Sequence, residues 1–328
     1  MHKAFVFGKF LPFHKGHEAM INFAAGRCDL LTVLVCCSNL ETVSVSERKN
    51  WLVDTFYDRP NIVVQIFEYD EDVLPNTSTT SADVSKVWAA AFKVLFPDYT
   101  TVVTSEGYGS LVAGYMGIEH MSFDVGRRLF PVSGTQIRKD IAGNWRYLPD
   151  GVKESYALKV VILGTESTGK TTLTNQLARH FGCSSVMEAG RELIPDSNSF
   201  GMDDLYKVAA KHAEQISAAA RGESALIIID TDIHITISYA LYMFGVGPNF
   251  DAEIYRRNRA SLYLYLNSDV EYVQDGTRLS EADRNLLDAS HRRVLHDYHV
   301  KFEEISGSWD ERFEKAVSLI NELVEKQR

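Results

Sequence analysis

The chain alternates short runs of β-branched and aromatic residues with amphipathic stretches of helical length, and it does so in two successive series. The runs of the first series are KAFVFG, LLTVLVCCS, NIVVQIFEY, TTVVTSE and HMSFDV. Those of the second series are ALKVVILG, SSVMEA, ALIIIDTD, SLYLYLN and KFEEISG. Strands that are separated by helices are typical of parallel sheets covered by helices. The sequence therefore predicts an α/β protein with two parallel-sheet domains.

The segment NWRYLPDGVKESY lies between the two series. It is polar and contains Pro149 and Gly151, a composition that is typical of a domain boundary. A chain of 328 residues is also long enough to form two hydrophobic cores. We place the boundary near Gly151, which predicts domains of residues 1–150 and 151–328.

Composition and charge limit the kinds of molecule that the chain is expected to bind. A net charge of -10 argues against a protein that binds the nucleic-acid backbone, because such domains carry a basic face. The cysteines form no CxxC pair, which is typical of reduced thiols in a cytoplasmic protein; they are Cys28, Cys36, Cys37 and Cys183. The apolar runs are much shorter than a membrane span, and no leader opens the chain. We expect small-molecule partners, no nucleic acid and no membrane, and homo-oligomerisation stays open.

The first strand of the second series runs into GTESTGKT, which has the spacing of a phosphate-binding P-loop. In such a loop the glycines let backbone N–H groups point at phosphate oxygens, while Lys170 adds positive charge and Thr171 offers a hydroxyl to Mg²⁺. The four fixed positions, with a strand before and a helix after, favour this interpretation over a chance glycine turn. The expected ATP-binding residues are Gly164, Glu166, Ser167, Thr168, Gly169, Thr171 and Thr172.

The run ALIIIDTD ends in two carboxylates, Asp230 and Asp232. They follow the carboxyl end of a predicted strand, where open α/β sheets bind their ligands. Asp230 is the candidate carboxylate for holding Mg²⁺ together with Thr171. A helix cap or a solvated turn is the alternative for this segment.

Two hydrophilic segments supply further acidic and basic groups. EAGRELI contains Glu188, Arg191 and Glu192, and VQDGTRLSEADR contains Asp275, Arg278 and Arg284. A kinase for a small molecule needs a carboxylate to orient the accepting hydroxyl and arginines to neutralise the transferred phosphoryl group. These residues are candidates for those roles, and a solvated surface position is the alternative for each arginine.

The first strand of the chain ends in GKFLPFHKGH, in which His14 and His17 are three positions apart. Two imidazoles at a helix N-terminus can donate hydrogen bonds to a polyphosphate, and the helix dipole adds to the field. Zinc coordination is the weaker interpretation, because no nearby Cys or His completes a ligand set. Helix capping would explain the histidine spacing, but it would not explain Lys9 or the glycines.

GKFLPFHKGH resembles the (H/T)xGH signature of nucleotidyltransferases, and VSGTQIRKD resembles their ISGTxIR signature, with Val132 in place of the usual isoleucine. Together with a P-loop half that contains GRE, DTD and DGTR, nearly the whole chain is similar to the NadR type of bifunctional enzyme. In that family a nicotinamide mononucleotide adenylyltransferase, which makes NAD and pyrophosphate from ATP and the mononucleotide, is joined to a ribosylnicotinamide kinase. The resemblance implies a Rossmann-like nucleotidyltransferase domain followed by a P-loop kinase domain, with ATP and Mg²⁺ as cofactors.

The resemblance also implies roles for individual residues. His14 and His17 would contact the ATP phosphates and stabilise the leaving pyrophosphate. The rest of the expected clamp consists of Gly8, Lys9, Phe10, Gly16, Ser133, Gly134, Thr135 and Arg138. Catalysis by in-line attack needs positioning and charge neutralisation rather than a covalent enzyme intermediate. In the kinase half, Lys170 and Arg278 would act on the phosphoryl group, and Glu192 and Asp232 are competing candidates for the general base.

Three residues are candidates for substrate contacts. Nicotinamide is a flat, positively charged ring, for which an aromatic wall is a suitable partner. Trp88 follows a long polar loop and could provide that wall, with a place in a helix core as the alternative. Arg48 is a candidate for contact with ATP phosphates, and Arg191 for contact with the substrate of the kinase half.

Some members of the NadR type carry a DNA-binding helix-turn-helix before the transferase. Because the first predicted strand begins at Lys3, we expect neither this module nor a regulatory role on DNA. Two alternatives stay open. One is a transferase and kinase for another phosphorylated acceptor, such as pantetheine phosphate. The other is a nucleotide-sensing regulator with degenerate catalysis, against which the intact motif residues count.

Overall fold

The computed structural model describes residues 1–76, 80–194, 200–270 and 280–327. The chain divides into two units, Met1–Ser155 and Tyr156–Arg328. Each unit is built on one five-stranded sheet in which every strand pair is parallel. The predicted α/β fold with two parallel-sheet domains is confirmed. The division falls a few residues after the position near Gly151 that the sequence indicated.

The N-terminal unit has the strand order β3-β2-β1-β4-β5. Its strands are β1 (Lys3–Gly8), β2 (Leu30–Ser38), β3 (Ile62–Tyr69), β4 (Thr101–Thr104) and β5 (Glu119–Ser122). Its helices are α1 (Lys15–Ala25), α2 (Val45–Thr55), α3 (Ala82–Leu95), α4 (Tyr108–Met116), α5 (Gly134–Lys139) and α6 (Asp150–Tyr156). A 3-10 turn, Trp145–Tyr147, precedes α6.

The strand order of the N-terminal unit places a topological switch at β1. The chain proceeds from β1 through β2 to β3 on one side, and then crosses to β4 and β5 on the other side. Ligands of open α/β sheets bind in the crevice at the carboxyl ends of the strands at such a switch. An aromatic core fixes α3 against this part of the sheet, since Phe5 of β1 stacks on Phe96 with ring centroids 4.6 Å apart.

The C-terminal unit has the strand order β10-β9-β6-β8-β7. Its strands are β6 (Leu158–Leu163), β7 (Ser184–Val186), β8 (Leu226–Asp230), β9 (Leu262–Leu266) and β10 (Glu303–Ile305). Its helices are α7 (Lys170–Phe181), α8 (Gly190–Leu193), α9 (Met202–Ala220), α10 (Ile233–Phe244), α11 (Ala252–Asn258), α12 (Glu281–Asp297) and α13 (Trp309–Lys326). Because β6 lies between β8 and β9, the loop after β6 lies at the carboxyl ends of the central strands.

The segment predicted as a domain boundary forms regular secondary structure. It forms the 3-10 turn and α6, and the carbonyl of Pro149 accepts hydrogen bonds from the N–H groups of Val152 and Lys153. Leu148 and Val152 are fully buried. The packing of these apolar residues therefore determines the local structure, although Pro149 and Gly151 favour a break.

None of the helices within the described ranges has an apolar stretch long enough to cross a bilayer.

Two candidate phosphate-binding sites

A cavity of about 680 Å³ in the N-terminal unit brings together residues that are far apart in the sequence. Its walls come from the end of β1, the start of α1, the start of α5 and one face of α3. The expected site residues that line it are Gly8, Lys9, Phe10, His14, Gly16, His17, Trp88, Ser133, Gly134, Thr135 and Arg138. The cavity thus lies at the switch point of this sheet.

His14 and His17 form a stacked pair in this cavity, with ring centroids 3.6 Å apart. His14 is the N-cap of α1, and its Nδ1 accepts a hydrogen bond from the backbone N–H of Gly16 at 3.2 Å. Because Nδ1 is the acceptor, the neutral ring carries its proton on Nε2. The capping interpretation is therefore correct for His14, and capping leaves its second nitrogen free to donate.

Both histidines are held in the neutral form. Burial, and then the positive charge of Arg127, lowers the pKa of His14 to about 4. Burial, the neighbouring His14 and Arg127 hold the pKa of His17 well below its ordinary value. Nδ1 of His17 is buried and has no hydrogen-bond partner among the described residues. A neutral imidazole pair of this kind can donate hydrogen bonds to an anion without itself carrying charge.

The start of α5 lies against the turn that follows β1. Ser133 caps the helix by accepting a hydrogen bond from the N–H of Gln136 at 3.2 Å. Arg138 donates to the carbonyl of Leu11 and, at 3.2 Å, to the hydroxyl of Thr135. A Cβ atom on Gly134 would lie 2.9 Å from the Leu11 carbonyl oxygen. Glycine at position 134 is therefore what lets the two signature segments approach each other.

Arg48 does not line the cavity, although the sequence suggested a contact with ATP phosphates. Its side chain is 1% exposed and lies 2.5 Å from the carboxylate of Glu41. It also donates to the carbonyls of Lys9 and Cys36, at 3.3 and 3.4 Å. The Nζ atom of Lys9 lies 2.9 Å from Glu41 and 3.1 Å from Glu71. Arg48 therefore contacts the backbone of Lys9 and shares the Glu41 carboxylate with the Lys9 side chain. We call these three residues the Lys9–Glu41–Arg48 network.

Trp88 lies in the core of the N-terminal unit and also lines the cavity. It is 9% exposed and packs in the core beside Phe92, so that most of the ring is buried. Its indole N–H donates to the carbonyl of Pro75 at 3.0 Å, and its ring meets that of Tyr69 edge-on at 4.9 Å. Both Trp88 and Tyr69 reach the cavity wall. One part of this site therefore has an aromatic surface.

Sequence reasoning missed Arg127 and Glu106, which also line the cavity. Their side chains form an ion pair with an N–O distance of 3.1 Å, and Arg127 donates to the carbonyl of Val132 at 3.3 Å. The charge of Arg127 contributes to the lowered pKa of both histidines. The loop FDVGRRLF contains two adjacent arginines and no motif that indicates which of them reaches the cavity.

The P-loop of the C-terminal unit connects β6 to α7, as its motif predicts. Nζ of Lys170 donates to the carbonyl of Thr165 at 2.9 Å, and the Thr168 hydroxyl donates to the same oxygen at 2.8 Å. Gly169 has a φ of +88°, in the region that favours glycine. Glu166 accepts a hydrogen bond from the hydroxyl of Tyr239 at 3.3 Å. The remaining loop candidates, Gly164, Ser167, Thr171 and Thr172, are contiguous with these residues.

Thr171 and Asp230 lie together, as expected for a shared Mg²⁺ ligand set. The Thr171 hydroxyl donates to Oδ2 of Asp230 at 2.6 Å. Oδ1 of Asp230 is buried and, within the described ranges, accepts no hydrogen bond. Burial raises the pKa of Asp230, while the positive charge of Lys170 opposes that rise. Mg²⁺ prefers oxygen ligands and is commonly held by one or two carboxylates plus substrate phosphates, so these two residues fit the ion.

The carboxylate of Asp232 is occupied by hydrogen bonds within its own segment. It caps α10 by accepting from the N–H groups of His234 and Ile235, and its carboxylate lies 2.5 Å from Nδ1 of His234. Although burial opposes the effect, Asp232 raises the pKa of His234. The side chain of Asp232 is fully buried. The structure therefore favours the helix-cap interpretation of this residue over a role as general base.

The segment that follows β7 contains the carboxylates of Glu188 and Glu192 on either side of Arg191. Arg191 and Glu192 lie on α8, and Arg191 forms an ion pair with Glu188 at 3.3 Å. Burial is the largest cause of the raised pKa of Asp230, and the charge of Glu188 also raises that pKa, whereas that of Arg191 lowers it. Arg278 lies outside the described residues.

No group of three or more His, Cys, Asp or Glu side chains arranged to hold a metal ion occurs in the part of the chain that the structure describes.

The fold and the two sites define a class of protein: a two-unit α/β nucleotide-binding protein, with a nucleotidyltransferase-like unit followed by a P-loop kinase-like unit. Residues 159–312 match a family described as an AAA domain. The chain is 29% identical to the "Trifunctional NAD biosynthesis/regulator protein NadR" of Escherichia coli (strain K12) over 98% of this chain and 83% of the relative.

Two solved structures show the same fold over nearly the whole chain. One is NadR in complex with NR, with a TM-score of 0.71 and 21% identity. The other is NadR in complex with NAD and AMP-PNP, with a TM-score of 0.69 and 20% identity. Each match covers 99% of this chain and 96% of the other. Over nearly its whole length the chain is therefore similar to proteins of the NadR type.

Proposed function

We propose that the chain is a bifunctional enzyme of NAD biosynthesis and salvage. Its N-terminal unit adenylylates nicotinamide mononucleotide to NAD with release of pyrophosphate, and its C-terminal unit phosphorylates nicotinamide riboside with ATP. The similarity to NadR over 98% of the chain supports this assignment. The structural observation that carries it is one candidate phosphate-binding site in each unit, a stacked histidine pair in the first and a P-loop in the second.

In the proposed transferase reaction, a phosphate oxygen of the mononucleotide attacks the α-phosphorus of ATP. The bond from that phosphorus to the bridging oxygen breaks, and pyrophosphate leaves. Negative charge grows on the leaving group, where N–H groups of His14 and His17 can donate hydrogen bonds. Lys9, Arg127 and Arg138 supply positive charge at the cavity wall. Positioning and charge stabilisation therefore suffice, and no protein nucleophile is needed.

The cavity wall formed by Trp88 and Tyr69 suits the nicotinamide end of the mononucleotide. A positively charged aromatic ring is attracted to the faces of electron-rich aromatic rings, and stacking adds apolar contact. The two rings pack edge-on against each other, and the indole N–H of Trp88 also donates to the carbonyl of Pro75, so that this surface is formed without a ligand. A preformed surface reduces the entropy lost on binding.

In the proposed kinase reaction, a hydroxyl of the riboside attacks the γ-phosphorus of ATP and ADP leaves. Lys170 and the loop amides bind the phosphates, and Thr171 and Asp230 would hold Mg²⁺, which when bound neutralises phosphate charge. The hydroxyl proton needs a nearby carboxylate. Asp232 is engaged as the cap of α10, and we therefore assign this role to Glu188 or Glu192 in the segment after β7.

Incubation with ATP, Mg²⁺ and nicotinamide riboside, followed by product identification, tests both halves together. The wild-type chain is expected to yield NAD. His17→Ala should accumulate the mononucleotide, whereas Lys170→Ala should make NAD from added mononucleotide but not from the riboside. Arg179→Ala is a matched control for charge, because this exposed residue lies on the same helix as Lys170. Loss of both activities in either folded variant, or a wild-type chain that forms neither product, would contradict the proposal.

A further inference from the structure

Arg312 of α13 is a buried arginine that reaches the P-loop from the C-terminal helix. Its side chain is 1% exposed. One terminal nitrogen donates to the carbonyl of Thr168 at 3.1 Å. The other donates to the carbonyl of Asn267 at 3.0 Å and to the carboxylate of Asp269, and Nε donates to the carbonyl of Gly307 at 2.9 Å. A single guanidinium thus joins the P-loop, the end of β9 and the turn before α13.

The contact with Thr168 fixes the orientation of one peptide plane in the P-loop. In a trans peptide the C=O and the following N–H point in opposite directions. Because the Thr168 oxygen points into the buried guanidinium, the N–H of Gly169 must point away from it. That peptide lies directly before Lys170 and the first turn of α7, whose N–H groups form the anion-binding end of the helix.

A second residue of α13 fills the space behind the same peptide. A Cβ atom placed on Gly169 would come within 2.4 Å of the Trp309 ring. The Arg312 guanidinium lies 5.4 Å from the centre of that ring. One helix therefore determines both the direction of the Thr168–Gly169 peptide and the room available to it.

We propose that Arg312 is a positioning residue for the kinase-like unit: by holding the Thr168 carbonyl inward, it keeps the P-loop amides directed at the phosphates of ATP. This inference rests on the proposed kinase function. The planar guanidinium donates in three directions at once to carbonyls from three segments, whereas a lysine ammonium on a flexible stem does not reproduce this fixed fork. Arg312 touches no reacting atom in this account and acts through the loop.

The test compares Arg312→Ala with Arg292→Ala. Arg292 lies in the same unit and forms comparable charged hydrogen bonds to the side chains of Asp288, Glu304 and Asn267, none of which belongs to the P-loop. The measurements are KM for ATP and kcat of riboside phosphorylation. Adenylylation of the mononucleotide in the same preparation, by the other unit, serves as the control for protein quality.

We expect Arg312→Ala to raise KM for ATP about tenfold or more, with a smaller change in kcat, since the loss of a charge-assisted hydrogen bond misplaces the amides. Added guanidinium, at concentrations that do not denature the protein, should lower that KM again, and Arg312→Lys should not restore it. Arg292→Ala should leave KM for ATP within about twofold of wild type. Equal KM values for the Arg312→Ala and Arg292→Ala variants, whatever their stabilities, would overturn the inference.

Failure of this inference can be distinguished from failure of the proposed function. Calorimetric titration with a non-hydrolysable ATP analogue reports binding by both units whatever the acceptor is, so the P-loop contribution is obtained by comparing Arg312→Ala with Arg292→Ala. Weaker binding in Arg312→Ala than in Arg292→Ala supports the positioning role even if the riboside is not phosphorylated. Unchanged analogue binding in Arg312→Ala, with riboside phosphorylation intact in the wild type, refutes the positioning role alone.

Discussion

Replacing Glu41 by alanine tests the Lys9–Glu41–Arg48 network. The side chains of Glu41 and Arg48 are 6% and 1% exposed, and their charged groups lie 2.5 Å apart. The substitution leaves the Arg48 guanidinium buried, and its remaining partners among the described residues are two backbone carbonyls, at 3.3 and 3.4 Å. Removing one partner of a buried ion pair costs about 3–5 kcal/mol. We therefore expect the free energy of unfolding of the N-terminal unit to fall by about 3–5 kcal/mol.

The double variant Glu41→Leu/Arg48→Met makes this prediction specific to the pair. It removes both charges and replaces them with apolar groups, which in buried sites is often neutral or stabilising. The double variant should therefore be more stable than Glu41→Ala alone. A double-mutant cycle then measures the coupling between the two side chains directly.

The assay is urea denaturation of the full chain, followed by tryptophan fluorescence and by the retained activity of each unit. Trp51, Trp88 and Trp145 lie in the N-terminal unit and report its unfolding. Asp54→Ala on the exposed face of α2 is the control for loss of an acidic residue. If the free energy of unfolding of Glu41→Ala stays within about 0.5 kcal/mol of wild type, as for a typical surface substitution, the buried pair does not stabilise the unit.

Three further predictions concern the N-terminal cavity. Gly134→Ala should lower adenylylation at least tenfold and leave riboside phosphorylation unchanged, because its Cβ would press on the Leu11 carbonyl at 2.9 Å; equal loss in both assays would contradict this. Since burial lowers the pKa of His14 from 6.5 to about 4, the unfolded chain binds more protons in that range. The free energy of unfolding should therefore fall by up to about 3 kcal/mol as pH drops from about 6.5 to 4, and His14→Gln should show a smaller fall in urea titrations at several pH values. Trp88→Leu should raise KM for the mononucleotide about tenfold with KM for ATP nearly unchanged, and a parallel rise in both constants would argue against an aromatic contact with nicotinamide.

The strands of the two sheets could be predicted from local sequence, but helix α6 could not. KAFVFG and LLTVLVCCS coincide with β1 and β2, because strands buried on both faces leave continuous apolar runs. The segment that contains α6 was expected to be a domain boundary, with no helix in it, because Pro149 and Gly151 are strong breakers. The burial of Leu148 and Val152, which depends on their tertiary neighbours, is what keeps that segment helical.

The site could be predicted where its residues belong to contiguous motifs. His14, His17 and the P-loop lie at strand-to-helix corners that the sequence itself marks. The partner of an arginine depends on the fold, and so Arg48 was expected in the cavity but pairs with Glu41, whereas Arg127 was overlooked. Asp232 shows the same limit, since a carboxylate after a strand serves equally as a helix cap or as a catalytic group.

The capping role of His14 has a consequence for engineering this protein. Aspartate and serine begin helices better than histidine does, so a screen for heat resistance would favour them at position 14. Aspartate would bring a negative charge into the very pocket proposed to receive a triphosphate. Selection for thermal stability alone would therefore favour substitutions at position 14 that lower catalytic activity. Stability and activity have to be selected together at this position.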